Sequence, residues 1–147
     1  MRHSAYRPVT ILEHSGDLKI RAQGRDFLEA LANASEGMMN QIVPSEEVEE
    51  REERPVEAVG DDEPVQAAAF LNELLFLTYA RHWLPRRVRT MTRCTRNDCR
   101  VIEAVVAGEP WDPTRHHSKY EIKAVTYHEL SVQPEGGLTT IQFVCDL

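Results

Sequence analysis

Residues 119–128 read KYEIKAVTYH, and this stretch decides how the rest of the chain must be arranged. Read as a β-strand, in which successive side chains point to opposite faces, it places Ile122 on one side and Glu121 and Lys123 on the other. The second face also carries the phenol of Tyr127, so it is too polar for a core. These residues alone leave two interpretations open, a solvated face with a cross-strand ion pair or a functional surface.

The whole chain has the length and composition of one globular domain. It has 147 residues, of which 41% are hydrophobic and 28% are charged, and these values fit disordered and membrane proteins poorly. The longest apolar run, residues 67–71, is too short to span a bilayer, and the N-terminus lacks the apolar run of a secretion signal. We therefore predict a single domain over residues 1–147 and a cytoplasmic location.

Hydrophobic periodicity predicts an α+β fold with two main helices and an antiparallel or mixed β-sheet. Helical spacing begins at Asp26, a residue type that caps helices, and continues to about Gln41. It returns in a second helix, which Asp61-Asp62-Glu63-Pro64 opens with acids and a proline in its first turn and which continues to about Arg81. Period-two alternation, which is typical of strands, covers residues 9–12, 18–22, 88–94, 100–106, 120–132 and 138–145.

The second predicted helix has one polar interruption. Apolar residues surround Asn72 and Glu73 on nearly every side. These two side chains either bind main chain or a partner, or merely face water, and we favour water.

Charge is unevenly distributed along the chain, whose net charge is -7. Residues 46–63 are strongly acidic, which indicates a solvent-facing edge strand guarded by charge. Residues 81–100 are strongly basic and could attract phosphate or an acidic protein surface. Because no aromatic residues are interleaved for base stacking, a solvated hairpin is the other interpretation. The candidate phosphate contacts on this hairpin are Arg86, Arg87, Arg89, Arg93, Arg96 and Arg100.

Cysteine and histidine pairs give weaker signals for metal binding. Cys94 and Cys99 could face each other across the hairpin or hold a metal, but a closed zinc site needs four nitrogen or sulfur ligands, so we expect reduced thiols. His116 and His117 are adjacent, and neighbouring side chains in an extended segment point apart. One chelate formed by both histidines is therefore not expected.

Carboxylates lie near both ends of the chain. Asp17 follows a Ser-Gly turn, and Asp146 ends the last predicted strand beside the carboxylate of Leu147. Such a group of negative charges is unfavourable unless a cation lies there. If the first and last strands are close in the sheet, Asp17 joins the group, and its oxygens suit calcium or magnesium. A simple turn-forming role is the alternative for Asp17.

Four short motifs occur together and in order along the chain. They are His14-Ser15-Gly16-Asp17, Leu71-Asn72-Glu73-Leu74-Leu75, Glu121-Ile122-Lys123-Ala124-Val125-Thr126-Tyr127-His128 and Asp146-Leu147. In combination they resemble the archease family over almost the whole chain, most weakly through the acidic run and the arginine hairpin. Gly16 departs from the family, which usually has alanine there; the turn becomes looser, but no ligand oxygen is removed.

The resemblance implies a small α+β protein related to strand-helix-strand-strand modules. Archeases assist the tRNA-splicing RNA ligase, which joins RNA ends through a histidine-linked guanylate. They are not ligases themselves, and they promote ligase guanylylation and multiple turnover. By the same resemblance, Asp17, Asp146 and Leu147 are the metal ligands, and Lys123 corresponds to the important lysine of the family.

We therefore expect a chaperone-like, non-enzymatic activator of the ligase, with tRNA as a second candidate partner through the arginine hairpin. Lys123, with Glu121, is expected to address the ligase or its nucleotide phosphates, and His14 is counted with them as critical for activation. The alternative function is a stand-alone metal-dependent phosphoesterase that uses the same carboxylates. It needs a general base or nucleophile, which only His14 or His128 offers. A third interpretation, an interaction module without metal, leaves Asp146 unexplained.

Overall fold

Two antiparallel β-sheets and two long helices make up the fold, in a computed structural model that describes residues 8–14 and 16–147. The predicted α+β class with two main helices is confirmed, and the predicted sheet is divided into two. The elements in chain order are β1 (Val9–His14), β2 (Asp17–Gly24), α1 (Phe27–Ile42), a short 3-10 helix (Ser45–Glu47), β3 (Glu52–Val59), α2 (Glu63–Arg81), β4 (Trp83–Arg96), β5 (Cys99–Pro110), β6 (Ala124–Val125), β7 (Ser131–Glu135) and β8 (Leu138–Asp146).

The larger sheet joins the beginning of the chain to its end. Its order is β1-β2-β8-β6, and β7 pairs with β8 beyond β6. Alternate residues of the central strands, such as Ile20 and Phe143, form its buried face. Since Leu18 of β2 pairs with Cys145 of β8, the early and late strands are direct neighbours. The condition under which Asp17 could join Asp146 is therefore met.

The smaller sheet has β5 in its centre, with β3 and β4 at its edges. The acidic segment thus contains an edge strand, as predicted, and Val56 and Ala58 turn their side chains into the core. β5 continues through Gly108 to Pro110, beyond the strand predicted over residues 100–106. Only glycine fits at residue 108 of β5, because β4 lies very close to it. A Cβ at this position would lie 2.0 Å from the carbonyl oxygen of Leu84.

Both helices begin at aspartate caps. The Asp26 carboxylate accepts a hydrogen bond from the main-chain N–H of Glu29, and Asp62 caps α2 in the same way. α1 packs on β2 and β4 and α2 packs on β3, so buried side chains of both helices and both sheets form one core. No helix within residues 8–14 and 16–147 is long and apolar enough to cross a membrane.

The strand predicted across residues 120–132 is wrong in its extent. Only Ala124–Val125 forms a strand there, β6, and the chain turns before β7 begins. Ile122 and Val125 are buried whereas Lys123 is exposed, so burial follows a spacing of three residues. The segment lies between α2 and β8, and its main-chain groups are therefore shared between helix side chains and one strand.

Candidate functional site

Strand pairing places several predicted site residues at one end of the larger sheet. His14 of β1 lies opposite Asp17 of β2. Because Leu18 pairs with Cys145, continuing that register by one residue sets Asp17 beside Asp146. Neighbouring strands are about 4.8 Å apart, so the two aspartates start from adjacent backbone positions. The fold thus brings together carboxylates that lie near opposite ends of the sequence.

The two aspartates lie on the face of the sheet that points away from the core. Paired residues share a face and alternate along each strand, and Leu18 and Cys145 are the buried neighbours. Burial, and to a smaller extent the negative charges of Asp146 and Asp17, raises the pKa of the Cys145 thiol to about 12. Both carboxylates therefore act on the same buried sulfur, and negative charge is concentrated at this end of the sheet.

The oxygens of Asp17 and Asp146 fit a hard divalent ion, because calcium and magnesium prefer carboxylate and carbonyl ligands. Within the described part of the chain, no three His, Cys, Asp or Glu side chains come together as a metal-binding group. Further ligands would then be water or main-chain oxygens, such as those of Leu147, which directly follows Asp146 and is exposed. The ligand set of Asp17, Asp146 and Leu147 stays a prediction.

Lys123 is tied to Asp146 through the main chain. Its N–H donates a hydrogen bond to the carbonyl of Asp146 at 2.8 Å, and the N–H of Thr126 donates to the carbonyl of Val144 at 3.2 Å. These bonds extend the contact between this segment and β8 beyond the two residues of β6. The side chains of Glu121 and Lys123 are exposed. Both therefore project from a segment that borders the aspartates.

Two polar side chains of α2 hold the other side of the same segment. Asn72 accepts a hydrogen bond from the N–H of Val125 at 3.0 Å and donates one to the carbonyl of Val125 at 3.1 Å. The hydroxyl of Tyr79 accepts one from the N–H of Ile122 at 3.0 Å. Asn72 and Tyr79 are two helical turns apart, about 10 Å, which matches the extended chain from Ile122 to Val125. Lys123 lies between these two attachment points.

The expectation that Asn72 faces water is wrong. Its carboxamide has the donor and the acceptor of a peptide group, so it takes the place of a neighbouring strand beside Val125. Glu73 is exposed, as expected. Asn72 and Tyr79 were missed as site residues. The available signal was a lone amide in an apolar helix, because a polar group at such a position needs a partner.

The remaining candidates for chemistry are not tested by the structure. His14 ends β1, but its side chain lies outside the described residues, as does Ser15 in the adjoining turn. His128 is exposed in the turn after β6. The roles of His14, Glu121 and Lys123 in ligase activation stay predictions.

The arginine hairpin is paired with the acidic run of the same chain. β3 and β4 flank β5, so the two runs of opposite charge meet across the smaller sheet. Much of the charge asymmetry seen in the sequence is therefore cancelled in the folded protein, and a tRNA contact stays a prediction. All six candidate arginines contact this chain: Arg86, Arg87 and Arg89 at Glu50, Arg93 at Glu63, Arg96 at Glu57 and Glu103, and Arg100 at the carbonyl of Asp61.

A buried carboxylate lies outside the predicted site. Glu109 is 1% exposed and accepts hydrogen bonds from the main-chain N–H of Glu49, from His116 and from Arg115. Burial alone would raise the pKa of Glu109, but these donors lower it to about 2. Because Nδ1 of His116 accepts from the N–H of Asp112, Nε2 is the nitrogen that donates to Glu109. His116 thus fastens the loop after β5.

Cys94 and Cys99 do not face each other across the hairpin. The register pairs Cys94 with Val101 and Cys99 with Arg96. Burial and the nearby carboxylate of Glu103 raise the pKa of the Cys94 thiol. Among residues 8–14 and 16–147, neither cysteine belongs to a group of side chains that could hold a metal.

Comparison with known proteins decides the family. The sequence profile of the archease protein family (MTH1598/TM1083) matches residues 10–147. The chain belongs to the archease family. Protein archease of Thermococcus gammatolerans is 34% identical over 137 residues, which cover 92% of this chain and 95% of the relative. Protein archease of Thermococcus kodakarensis is 32% identical with the same coverage.

Solved structures agree with the fold. The solution structure of protein 1598 from Methanobacterium thermoautotrophicum is similar with a TM-score of 0.81 at 26% identity, covering 95% of this chain and 99% of that one. A crystal structure from Thermotoga maritima, described as an archease and possible chaperone, has a TM-score of 0.64 at 18% identity, covering 99% and 100%. At that identity the second likeness concerns the fold alone. The archease-like α+β fold predicted from the motifs is confirmed.

Proposed function

We propose that this member of the archease family is a protein cofactor of a tRNA-splicing RNA ligase, promoting its guanylylation and multiple turnover through a surface divalent-metal site. One observation carries the proposal: β2 and β8 bring Asp17 beside Asp146, and Lys123 is hydrogen-bonded to the main chain of Asp146. Two carboxylates bordered by an exposed ammonium suit the binding of a metal and of a partner that carries phosphate.

Asp17, Asp146 and a main-chain oxygen of Leu147 would hold calcium or magnesium. When bound, the ion supplies positive charge that stabilises a developing phosphoryl charge. Tyr79 and Asn72 of α2 hold the main chain on both sides of Lys123 by hydrogen bonds. The Lys123 side chain therefore extends from a defined main-chain position. Lys123, with Glu121, would then address the ligase or its nucleotide phosphates. The names of the relatives, protein archease and possible chaperone, support an assisting role without catalysis of its own.

Guanylylation of the cognate ligase, measured with and without this protein and with calcium or magnesium, tests the proposal. We expect Lys123→Ala to abolish activation while folding and metal affinity stay nearly intact. Lys119→Ala is the matched control, because Lys119 is an exposed lysine of the same segment and contacts only the carbonyl of Asn40 through its ammonium among the bonds described. Equal loss in both variants, or a large fall in the melting temperature of Lys123→Ala, would contradict the assigned role.

The same assay distinguishes the alternative function. A stand-alone phosphoesterase would release phosphate from a substrate in the absence of the ligase, and Asp17→Asn would abolish that release. A cofactor would be active only when the ligase is present. The proposal places the protein in the cytoplasm and retains tRNA as a second partner of the arginine hairpin.

A further inference from the structure

Three neighbouring arginines converge on one carboxylate near the start of β4. Nη1 of Arg86 and Nε of Arg87 donate to the same oxygen of Glu50, at 2.9 Å and 3.0 Å, and Nη2 of Arg89 lies 3.0 Å from its other oxygen. The Glu50 side chain is 22% exposed, and those of Arg87 and Arg89 are 50% and 44% exposed. This arginine cluster, Arg86, Arg87 and Arg89 around Glu50, therefore reaches solvent.

A regular strand would not bring these side chains together. Successive residues of a strand point to opposite faces, so Arg86 and Arg87 would diverge. The pairing of β4 with β5 instead shifts its register between Pro85 and Arg87 and again between Val88 and Thr90. Such bulges re-aim side chains and occur often beside functional sites. The convergence of the cluster is thus a product of the backbone irregularity.

Contacts with neighbouring elements hold this segment in place. The N–H of Val88 donates to the carboxylate of Glu36 in α1 at 3.0 Å. Nε of Arg86 donates to the carbonyl of Ser45 at 2.7 Å, and a further carboxylate, Glu53, lies 3.8 Å from Arg89. The cluster is therefore ordered before any ligand arrives, and ligand binding would cost less conformational entropy.

The other end of the hairpin has the reverse arrangement of direct contacts. There Arg96 contacts two carboxylates, Glu57 at 2.7 Å and Glu103 at 2.6 Å. In direct contacts, Glu50 meets three arginines, whereas Arg96 meets two acids. Three guanidinium groups therefore share one carboxylate at the bulged end of β4, whereas two carboxylates share one guanidinium near the tip of the hairpin.

One carboxylate cannot accept hydrogen bonds from all the N–H donors of this cluster. Each guanidinium has several N–H donors in a fixed fork, and a carboxylate has only two oxygens to accept from them. A phosphate group has more oxygens and pairs with arginine in the same bidentate geometry. The groups that contact the cluster are carboxylates and a main-chain carbonyl, so it is suited to a phosphate backbone and not to base stacking.

We propose that Arg86, Arg87 and Arg89 form a binding site for the phosphates of RNA, in which Glu50 occupies the place of a phosphate until RNA displaces it. The proposal rests on that part of the proposed function which assigns RNA to the hairpin, and it narrows the contact from six arginines to three. It does not depend on the metal site or on Lys123.

The test is the affinity of the full-length protein for a fluorescently labelled single-stranded oligouridine, measured by anisotropy across a salt series. Glu50→Gln removes the competing charge and should tighten RNA binding by about threefold to tenfold. Glu57→Gln is the matched control, because it removes a carboxylate from the other end of the hairpin, and it should change the affinity by less than about twofold.

Removal of the arginines gives the converse result. Arg87→Ala with Arg89→Ala should weaken binding by at least about tenfold and reduce the slope of log affinity against log salt by roughly 1.4, since each phosphate contact with a single strand contributes about 0.7. Arg87→Lys with Arg89→Lys keeps the charge and removes the forked donors. If the alanine variant fails to fold, a threefold weakening in this lysine variant, about 0.7 kcal/mol, carries the same conclusion.

Unchanged or weaker RNA binding by folded Glu50→Gln would overturn the proposal. So would a Glu50→Gln variant that binds the ligase more tightly while its RNA affinity is unchanged, because the cluster would then take an acidic protein surface. Lys123→Ala should bind the oligonucleotide as the wild type does. The arginine variants should still support guanylylation of the ligase without RNA, so a failure of either proposal can be told from a failure of the other.

Discussion

The larger sheet sets acid beside acid, whereas the smaller sheet sets acid beside arginine. Pairing of β2 with β8 makes Asp17 a neighbour of Asp146, and pairing of β3, β5 and β4 brings Arg96 to Glu57 and Glu103. Exposed ion pairs contribute only about 0 to 1 kcal/mol each, whereas crowded like charges cost energy that a cation relieves. The same antiparallel geometry therefore pairs opposite charges at an edge in one region and sets two like charges side by side in the other.

The largest effect is expected from breaking the acid pair. Asp17→Asn or Asp146→Asn should lower the affinity for calcium or magnesium by about 100-fold, equivalent to roughly 3 kcal/mol, and abolish ligase activation. Without divalent ions Asp146→Asn should be at least as stable as the wild type, because the repulsion between the carboxylates is removed. Calorimetric titration and melting temperatures measure both effects.

Asp98→Asn is the control for the acid pair, since Asp98 lies in the hairpin turn with a positive φ that asparagine also tolerates. It should change neither metal affinity nor activation. Wild-type affinity for divalent ions in both Asp17→Asn and Asp146→Asn would remove the proposed metal site.

A buried acid surrounded by donors adds a third case to the comparison. Because the pKa of Glu109 is lowered from 4.5 to about 2, Glu109→Gln should lower the free energy of unfolding by about 3 kcal/mol near neutral pH. In the wild type this contribution is fully present above pH 4.5 and is lost as the pH falls toward 2. The difference between the proteins should therefore shrink over that range in urea unfolding. Glu103→Gln, at an exposed carboxylate, should show little of either effect.

Removing the hydrogen bonds between Asn72 and Val125, close to Lys123, should have an intermediate effect. Asn72→Ala leaves the N–H and carbonyl of Val125 without their side-chain partner, which should cost about 1 to 3 kcal/mol and reduce ligase activation. Hydrogen exchange at the Val125 amide should accelerate, whereas Glu73→Ala, one residue along the same helix, should leave it protected. Full protection of Val125 in Asn72→Ala would show that β8 alone positions this segment.

The smallest effect is expected where opposite charges meet on the surface. Arg96→Ala should destabilise the protein by less than about 1 kcal/mol, and the difference should decrease further in about 1 M salt. Thermal unfolding at low and high salt measures this. A loss of several kcal/mol would mean that the hairpin depends on this ion pair for its structure.

Local signals predicted the helices well. The cap Asp26 and the sequence Asp61-Asp62-Glu63-Pro64 are each followed by apolar residues at helical spacing, and the observed helices Phe27–Ile42 and Glu63–Arg81 begin at these local signals. The segment around Lys123 could not be predicted in this way. Its extended form depends on Asn72, which is 53 residues from Val125 in the sequence, and no pattern within residues 120–132 reveals that contact.

The charged regions show the same limit. The excess of acid in residues 46–63 and of arginine in residues 81–100 could each be counted from the sequence. Their mutual pairing depends on the position of β5 between β3 and β4, which is a property of the folded sheet. By contrast, we predicted that Asp17 lies near Asp146 if the first and last strands are close in the sheet. The pairing of β2 with β8 meets that condition.

Two strands that are neighbours in the larger sheet, β2 and β8, are synthesised far apart in time. β2 leaves the ribosome early, but its partner β8 is made about 120 residues later, a delay of roughly 6 to 24 seconds at about 5 to 20 residues per second. During that time β2 has only β1 as a neighbour, and a two-stranded hairpin is marginally stable by itself. A nascent chain can therefore hold its helices and arginine hairpin before the two aspartates meet, and the end of the larger sheet that carries them is complete only when β8 has been made.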